Sequence, residues 1–200
     1  MSMKKIGMKG FTVVIMLIVI LGLVYYTYLN NNASNRQETS EETEAEKLLN
    51  YDFENNYPKT VRETVKLHCR YLKSAYNDAF AEEELFTINR NIRELFDEEL
   101  LQNNAEADQL QGLKDEIQLY EENKQKFISY SLAEASQVQY NTEDGVEYAK
   151  MKVTIVLKVD GGTMSGDEEY ILRKDEEGRW KILGWQTVDK NTTENEGEAE

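Results

Sequence analysis

The sequence has one cysteine, one histidine and one proline in 200 residues, and each scarcity excludes something. A single Cys leaves no internal disulfide framework and no CxxC pair. One Cys and one His together are too few soft ligands for a structural zinc site. Basic residues are also short, 23 Lys plus Arg against 38 Asp plus Glu, for a formal charge of −15. A surface that acidic repels phosphate backbones, so nucleic acid is not an expected partner. No phosphate loop, no GxSxG and no dinucleotide fingerprint is present. What remains is 40% apolar and 10% aromatic, enough to build the core of about one domain.

Charge is missing altogether between Lys9 and Arg36. Within that gap Phe11 to Leu29 reads FTVVIMLIVILGLVYYTYL, 19 mostly apolar positions. As a helix it would be about 28 Å long, close to the roughly 30 Å hydrocarbon core of a bilayer. Twelve of the 19 are Leu, Ile, Val or Phe, each favouring insertion by about 0.3–0.6 kcal/mol near the helix centre. Tyr25, Tyr26 and Tyr28 gather at the far end, where amphipathic rings suit the headgroup layer. A cleaved signal peptide wants a shorter apolar core and a small-x-small site, and a lipoprotein anchor needs a Cys after the run; neither is here. Lys4, Lys5 and Lys9 precede the run and an acidic stretch follows it, which predicts an N-terminus inside and the rest of the chain outside the cytoplasmic membrane.

The organisation then follows from composition. Residues 1–10 form a basic cytoplasmic N-terminus, 11–29 a transmembrane helix inserted in the lipid bilayer, and 30–46 (NNNASNRQETSEETEAE) a polar, acidic tether. Residues 47–189 are the folded body, and 190–200 (KNTTENEGEAE) an acidic tail.

Inside the body the hydrophobic period changes midway. Thr60 and Glu63 have capping-box spacing, after which Val61, Val65, His68, Leu72, Ala75 and Tyr76 mark one helical face. Leu85, Ile88, Ile92, Leu95 and Phe96 give a second amphipathic helix, and Leu110, Leu113, Ile117 and Tyr120 a third, with a break near residues 102–105. From Met151 to Val159 apolar residues alternate with Lys152, Thr154 and Lys158, the pattern of a half-buried strand. Gly-bearing turns at Gly145, Gly161–Gly162 and Gly178 join it to a strand over Phe127–Tyr140, to Tyr170–Lys174 and to Trp180–Trp185. Gly184 shifts the apolar phase between Ile182 and Trp185, which predicts a β-bulge or bend. The expected fold is α+β: three helices packed on a four-stranded antiparallel sheet.

The segment YILRKDEEGRWKILGW, residues 170–185, resembles the last hairpin of nuclear-transport-factor-like (SnoaL-like, cystatin-like cone) domains. That resemblance implies a curved sheet wrapped into a cone. NNYPKTVRETVKLHCRYLKSAYN and LFDEEL, behind a Lys-Lys anchor, resemble an uncharacterised family of single-pass membrane proteins of Clostridia. It implies no known activity.

Enzymes of the cone fold place a His/Asp or Tyr/Asp set inside the pocket. His68 is the only histidine and lies on the apolar stripe, where a packed core role is expected instead. Cys69 sits about 100° further round the helix, out of reach for a nucleophile–base pair. The acidic triplets Glu82–Glu84, Asp97–Glu99, Asp167–Glu169 and Asp175–Glu177 lack the alternating spacing of a calcium loop and are expected on solvated faces and turns. No catalytic, metal-binding or cofactor-binding residue is therefore assigned, and His68 is expected to have no carboxylate, Tyr hydroxyl or thiol beside its ring in an open cavity. The sequence favours a non-catalytic interaction or assembly module of the bacterial cell envelope, its partner an unidentified envelope protein or a second copy. A receptor or carrier holding a small ligand among the 12 Tyr and 2 Trp comes next, and a hydrolase or isomerase third.

Overall fold

The computed structural model describes residues 42–188. The basic N-terminus 1–10, the expected span Phe11–Leu29, most of the tether 30–46 and the tail 190–200 lie outside the described residues. Among the described residues no helix is long and apolar enough to cross a membrane. The chain divides into two units at Thr43/Glu44, and the second contains all the helices and strands described below.

That unit is α+β: helices first, then an antiparallel sheet. The helices are α1 (Glu44–Leu49), α2 (Phe53–Asn56), α3 (Val61–Asn77), α4 (Glu82–Arg93), α5 (Glu98–Asn103) and α6 (Glu106–Glu122). The strands are β1 (Lys126–Leu132), β2 (Gln139–Glu143), β3 (Val146–Val159), β4 (Gly162–Lys174) and β5 (Trp180–Val188). The long helices α3, α4 and α6 sit where the periodicity predicts them; α1, α2 and α5 are additional. Helix α1 takes up the last three residues of the stretch read as a tether, and its Leu48 is fully buried.

Local chemistry sets the boundaries. Thr60 Oγ1 accepts from the Glu63 amide at 3.2 Å while Glu63 Oε2 accepts from the Thr60 amide at 3.1 Å, so both partners of the capping box open α3. Asp97 caps α5, its Oδ1 accepting from the Glu99 amide at 2.9 Å. That cap, which the apolar period does not register, makes a separate helix of Glu98–Asn103. Asn77 grips the start of β1 at both ends: its Nδ2 donates to the Phe127 carbonyl (2.7 Å) and its Oδ1 accepts from the Phe127 amide (3.1 Å).

The sheet has five strands rather than four. The segment read as one strand over Phe127–Tyr140 is broken: β1 pairs with the far half of β3 and β2 with the near half, along the same edge. Between them Ala135–Gln137 forms a 3-10 turn. Leu132 opposes Val153 and Gln139 opposes Lys150, so six residues cross a gap that only two span on β3, and the surplus is taken up by that turn. Beyond that edge the order is a meander, β3–β4–β5. Asp144 and Gly145 both take positive φ (49° and 83°) in the β2–β3 hairpin, the geometry a two-residue type I′ turn requires. In β5 the register passes from Ile182 opposite Leu172 to Gly184 opposite Ile171, leaving Leu183 as the bulge expected there.

That bulge decides which residues face inward. It flips the side-chain parity, so Ile182 and Trp185 both join the face that carries Tyr170 and Leu172. The segment Leu95–Asp97 covers the outer edge of β5 near its start: the Ile182 amide donates to the Leu95 carbonyl and the Asp97 amide to the Ile182 carbonyl, both at 2.8 Å. An otherwise open edge is thereby paired.

Candidate functional site

The inner face of the sheet is closed at one end and open at the other. At the closed end Ala149, Met151, Leu172, Trp180 and Ile182 are all at most 7% exposed, packed under α3. The other end carries Ile155, Glu168 and Trp185 on the inner face. There a cavity of about 610 Å³ lies between the sheet and α3, α5 and α6, within the roughly 300–1,000 Å³ typical of small-ligand pockets.

Two aromatic groups bound this cavity. On one side the His68 ring meets Trp185 (centroids 5.0 Å apart), Tyr170 (5.6 Å) and Phe96 (5.7 Å), and Tyr170 stacks on Trp185 at 5.8 Å. On the other, Tyr76 stacks on Tyr120 at 4.5 Å and faces Phe127 at 6.5 Å. The Tyr76 hydroxyl donates to Glu116 Oε2 at 2.5 Å, tying α3 to α6.

Glu168 faces the cavity from the inner face of β4. Burial raises its pKa above the ordinary carboxylate value and the charge of Glu116 adds to the rise, while Tyr170 opposes it. Its Oε2 is buried without a hydrogen-bond partner among the described residues.

His68 Nδ1 lies 3.1 Å from the Tyr170 hydroxyl, and which group donates depends on the imidazole tautomer. The expectation that no Tyr hydroxyl would stand beside this ring at a cavity therefore fails. The reason is parity: Tyr170 occupies the same inward rank of β4 as Leu172, directly under the α3 face that carries His68. Cys69 and Glu168 also influence the Tyr170 hydroxyl, so two adjacent residues on α3 converge on one phenol although they cannot pair with each other.

The environment nevertheless holds these groups in their neutral forms. Burial alone pushes the His68 imidazole down to about 3. It pushes the Cys69 thiol up to about 12 and the Tyr170 phenol well above its usual value. A buried thiol of that kind is a weak nucleophile, and an imidazole so depressed is a weak base. Among the described residues no group of three His, Cys, Asp or Glu side chains is placed to hold a metal ion.

The acidic triplets divide between surface and interior. Glu82 pairs with Lys114 at 2.7 Å on the surface, and Asp175 organises the β4–β5 turn by accepting from the Glu177 and Arg179 amides at 3.0 and 2.8 Å. Asp97 is instead 4% exposed. Arg173 grips both its oxygens, Nε to Oδ2 at 2.9 Å and Nη2 to Oδ1, and reaches Glu99 at 3.2 Å. Glu168, in the third triplet, turns into the cavity. The alternation of Glu168, Tyr170 and Leu172 is a signal for it, since a carboxylate at an inward position of a half-buried strand is out of pattern. Trp185 becomes inward only through the bulge.

The solution structure of TraH from the Gram-positive conjugative plasmid pIP501, named as a transfer protein, aligns with 66% of this chain and 97% of its own at 16% identity. The TM-score is 0.36, too low to carry an argument about fold or role. No curated protein matches the chain. A family profile described as "Domain of unknown function (DUF6715)" matches residues 1–185, and the chain belongs to that family.

Proposed function

We propose that this protein is a non-catalytic binding module that holds a small ligand in the cavity between the sheet and α6. The observation that carries the reading is the cavity itself: about 610 Å³, lined by aromatic and aliphatic side chains together with polar ones that include Asn103, Gln109, Glu116 and Glu168. Of the three roles the sequence leaves open, this favours the receptor or carrier. Binding is preferred to turnover because the three groups nearest the aromatic wall, His68, Cys69 and Tyr170, are held away from the protonation states that acid–base or nucleophilic chemistry at neutral pH uses.

Two finer readings belong to the same proposal. The helices on the inner sheet face, the broken edge strand and the β5 bulge support a cone of the nuclear-transport-factor-like kind. The uncharged run Phe11–Leu29 behind Lys4, Lys5 and Lys9 supports a single-pass anchor that displays the module outside the cytoplasmic membrane.

The test is native mass spectrometry of the full chain purified from membranes, comparing wild type with Gly112→Phe. Gly112 lines the cavity, and a Cβ placed there meets nothing within 4 Å, so a larger side chain can start from this point without a clash at Cβ, and its ring is expected to compete for ligand space. A copurified small molecule on wild type that is lost from a folded Gly112→Phe is the expected result. Equal occupancy of the two proteins, or none on either with no small molecule in extracts of wild type, rejects the reading.

A further inference from the structure

The lining of the cavity is one-sided in charge. Asp108, Glu116 and Glu168 contribute carboxylates, and among the described residues no Lys or Arg lines it. An anionic ligand would meet only like charge there. The carboxylates are not equivalent. Glu116 already accepts from the Tyr76 hydroxyl, whereas Glu168 Oε2 is buried and unpartnered. An acceptor in that state lacks the donor that would offset its desolvation.

The rings add a preference of their own. Trp185 and Phe96 stand on one side of the cavity, Tyr76 and Tyr120 on the other. Aromatic faces carry negative electrostatic potential and attract a cation placed within about 6 Å of the centroid, with Trp strongest. Carboxylate and ring faces thus ask for the same thing, a positive charge that is also an N–H donor. Leu72, Leu113, Phe127 and Ile155 give the wall an apolar part that suits a hydrocarbon body, beside the neutral amides of Asn103, Asn104 and Gln109.

We propose that the cavity selects an organic cation, an amine with an apolar or aromatic body, whose ammonium pairs with the Glu168 carboxylate between the two groups of rings. The proposal rests on the cavity being a ligand site and adds the chemical class of the ligand.

Three probes of one shape and different charge test it on the full chain in lipid nanodiscs: phenethylammonium, 2-phenylethanol and 3-phenylpropionate. Binding is followed through Trp185 emission, with empty nanodiscs as the blank and Trp185→Phe to verify the source of the signal. The ammonium is expected to bind about tenfold or more tighter than either other probe, the scale of a charge-assisted hydrogen bond. Glu168→Gln keeps the shape of the side chain and is expected to abolish that advantage while leaving the affinity of the alcohol within about twofold. Glu116→Gln, carrying the carboxyl already bonded to Tyr76, is expected to do less. If the alcohol binds as tightly as the ammonium, or Glu168→Gln leaves the ammonium unaffected, the cavity remains a ligand site and its selectivity for cations is overturned. If none of the three probes binds up to millimolar concentration, both the selectivity and the ligand site fall.

Discussion

Helices α3 and α6 are each 17 residues long, and they do opposite jobs. Nine residues of α3 are buried, on nearly every side, because the sheet lies beneath it and α1, α4 and α6 pack against it. In α6 only Leu113 is buried. Sequence accounts for the contrast. Helix α3 intersperses Val61, Val65, Leu67, Tyr71 and Ala75 with small polar residues such as Thr64 and Ser74 that tolerate burial, whereas α6 offers a thin stripe among Asp, Glu and Gln. A helix with that little apolar surface can roof a space without filling it. One end of the sheet is therefore a core and the other a cavity, and stability and binding are expected to separate along that line.

The largest test of the separation uses the two tryptophans. Trp180 is 7% exposed at the packed end, with the Tyr140 ring 5.7 Å away and the Lys174 ammonium over its face. Truncating such a side chain costs about 3–5 kcal/mol, comparable with much of the stability of a small domain. Trp180→Ala is expected to leave the domain unfolded or nearly so in urea titrations. Trp185, 40% exposed at the cavity, is expected to cost no more than about 2 kcal/mol when changed to Ala. Equal losses would mean that the two ends of the sheet form one core.

Asp97 gives the next effect. It caps α5, receives both arms of Arg173 and belongs to the segment that seals the β5 edge. Removing one partner of a buried ion pair costs about 3–5 kcal/mol when the other is left buried. Arg173 is 26% exposed and can reach water, so about 3 kcal/mol is the better figure for Asp97→Ala. Because neither Asp97 nor Arg173 lines the cavity, the variant should still bind the cavity ligand wherever α5 stays folded. Thermal unfolding with and without ligand checks both halves of that statement.

Legibility in the sequence follows the same division. The capping box, the three long helices, the Gly turns and the bulge at Leu183–Gly184 are all visible there, because each depends on residues within a few positions of one another. The break between β1 and β2 is not. It comes from a length mismatch against β3, and a strand's own alternation carries no information about its partner's register. The burial of Asp97 and Glu168 is hidden for a related reason: charge runs suggest solvent, and only distant parts of the chain, Arg173 gripping Asp97 and α6 across the cavity from Glu168, reverse that. Periodicity puts His68 on the inner stripe of α3, where the structure has it, but its neighbour Tyr170 lies 102 residues away, beyond anything periodicity reports.

Acid sharpens the comparison through His68, which stands between the two regions. Its folded pKa of about 3 lies below the ordinary imidazole value of 6.5, so the unfolded chain takes up a proton that the folded chain refuses. The group has no effect on stability above pH ~6.5, and stability falls by up to about 1.4 kcal/mol per pH unit as pH drops below it toward 3. Glu168 acts in the other direction: its raised pKa lowers stability as pH climbs above its unfolded value. The informative quantity is thus the difference in slope between wild type and His68→Gln from pH 6.5 to 5, read from urea midpoints. The variant is expected to be the flatter of the two. Parallel slopes would show that His68 takes up its proton in the folded state, which its enclosure by Phe96, Tyr170 and Trp185 does not permit.

The smallest expected effect lies on the cavity side, at Gly112. A glycine in the interior of an exposed helix costs about 1 kcal/mol relative to alanine, because it gives up the most backbone freedom on folding. Its φ is unexceptional and a Cβ would meet nothing within 4 Å, so neither strain nor crowding accounts for a glycine at this position. It lines the cavity, and the space at its Cβ position is open. Gly112→Ala is accordingly expected to raise stability by up to about 1 kcal/mol, and bulkier residues to keep most of that gain while progressively excluding ligand. At a position in packed contact the two effects would run together, since filling would strain the fold as it closed the site. A series through Ala, Leu and Phe that shows affinity falling while the unfolding midpoint holds or rises would establish that α6 is roof and not core. A midpoint that falls in step with affinity would place Gly112 against packed atoms and close the cavity on which the comparison depends.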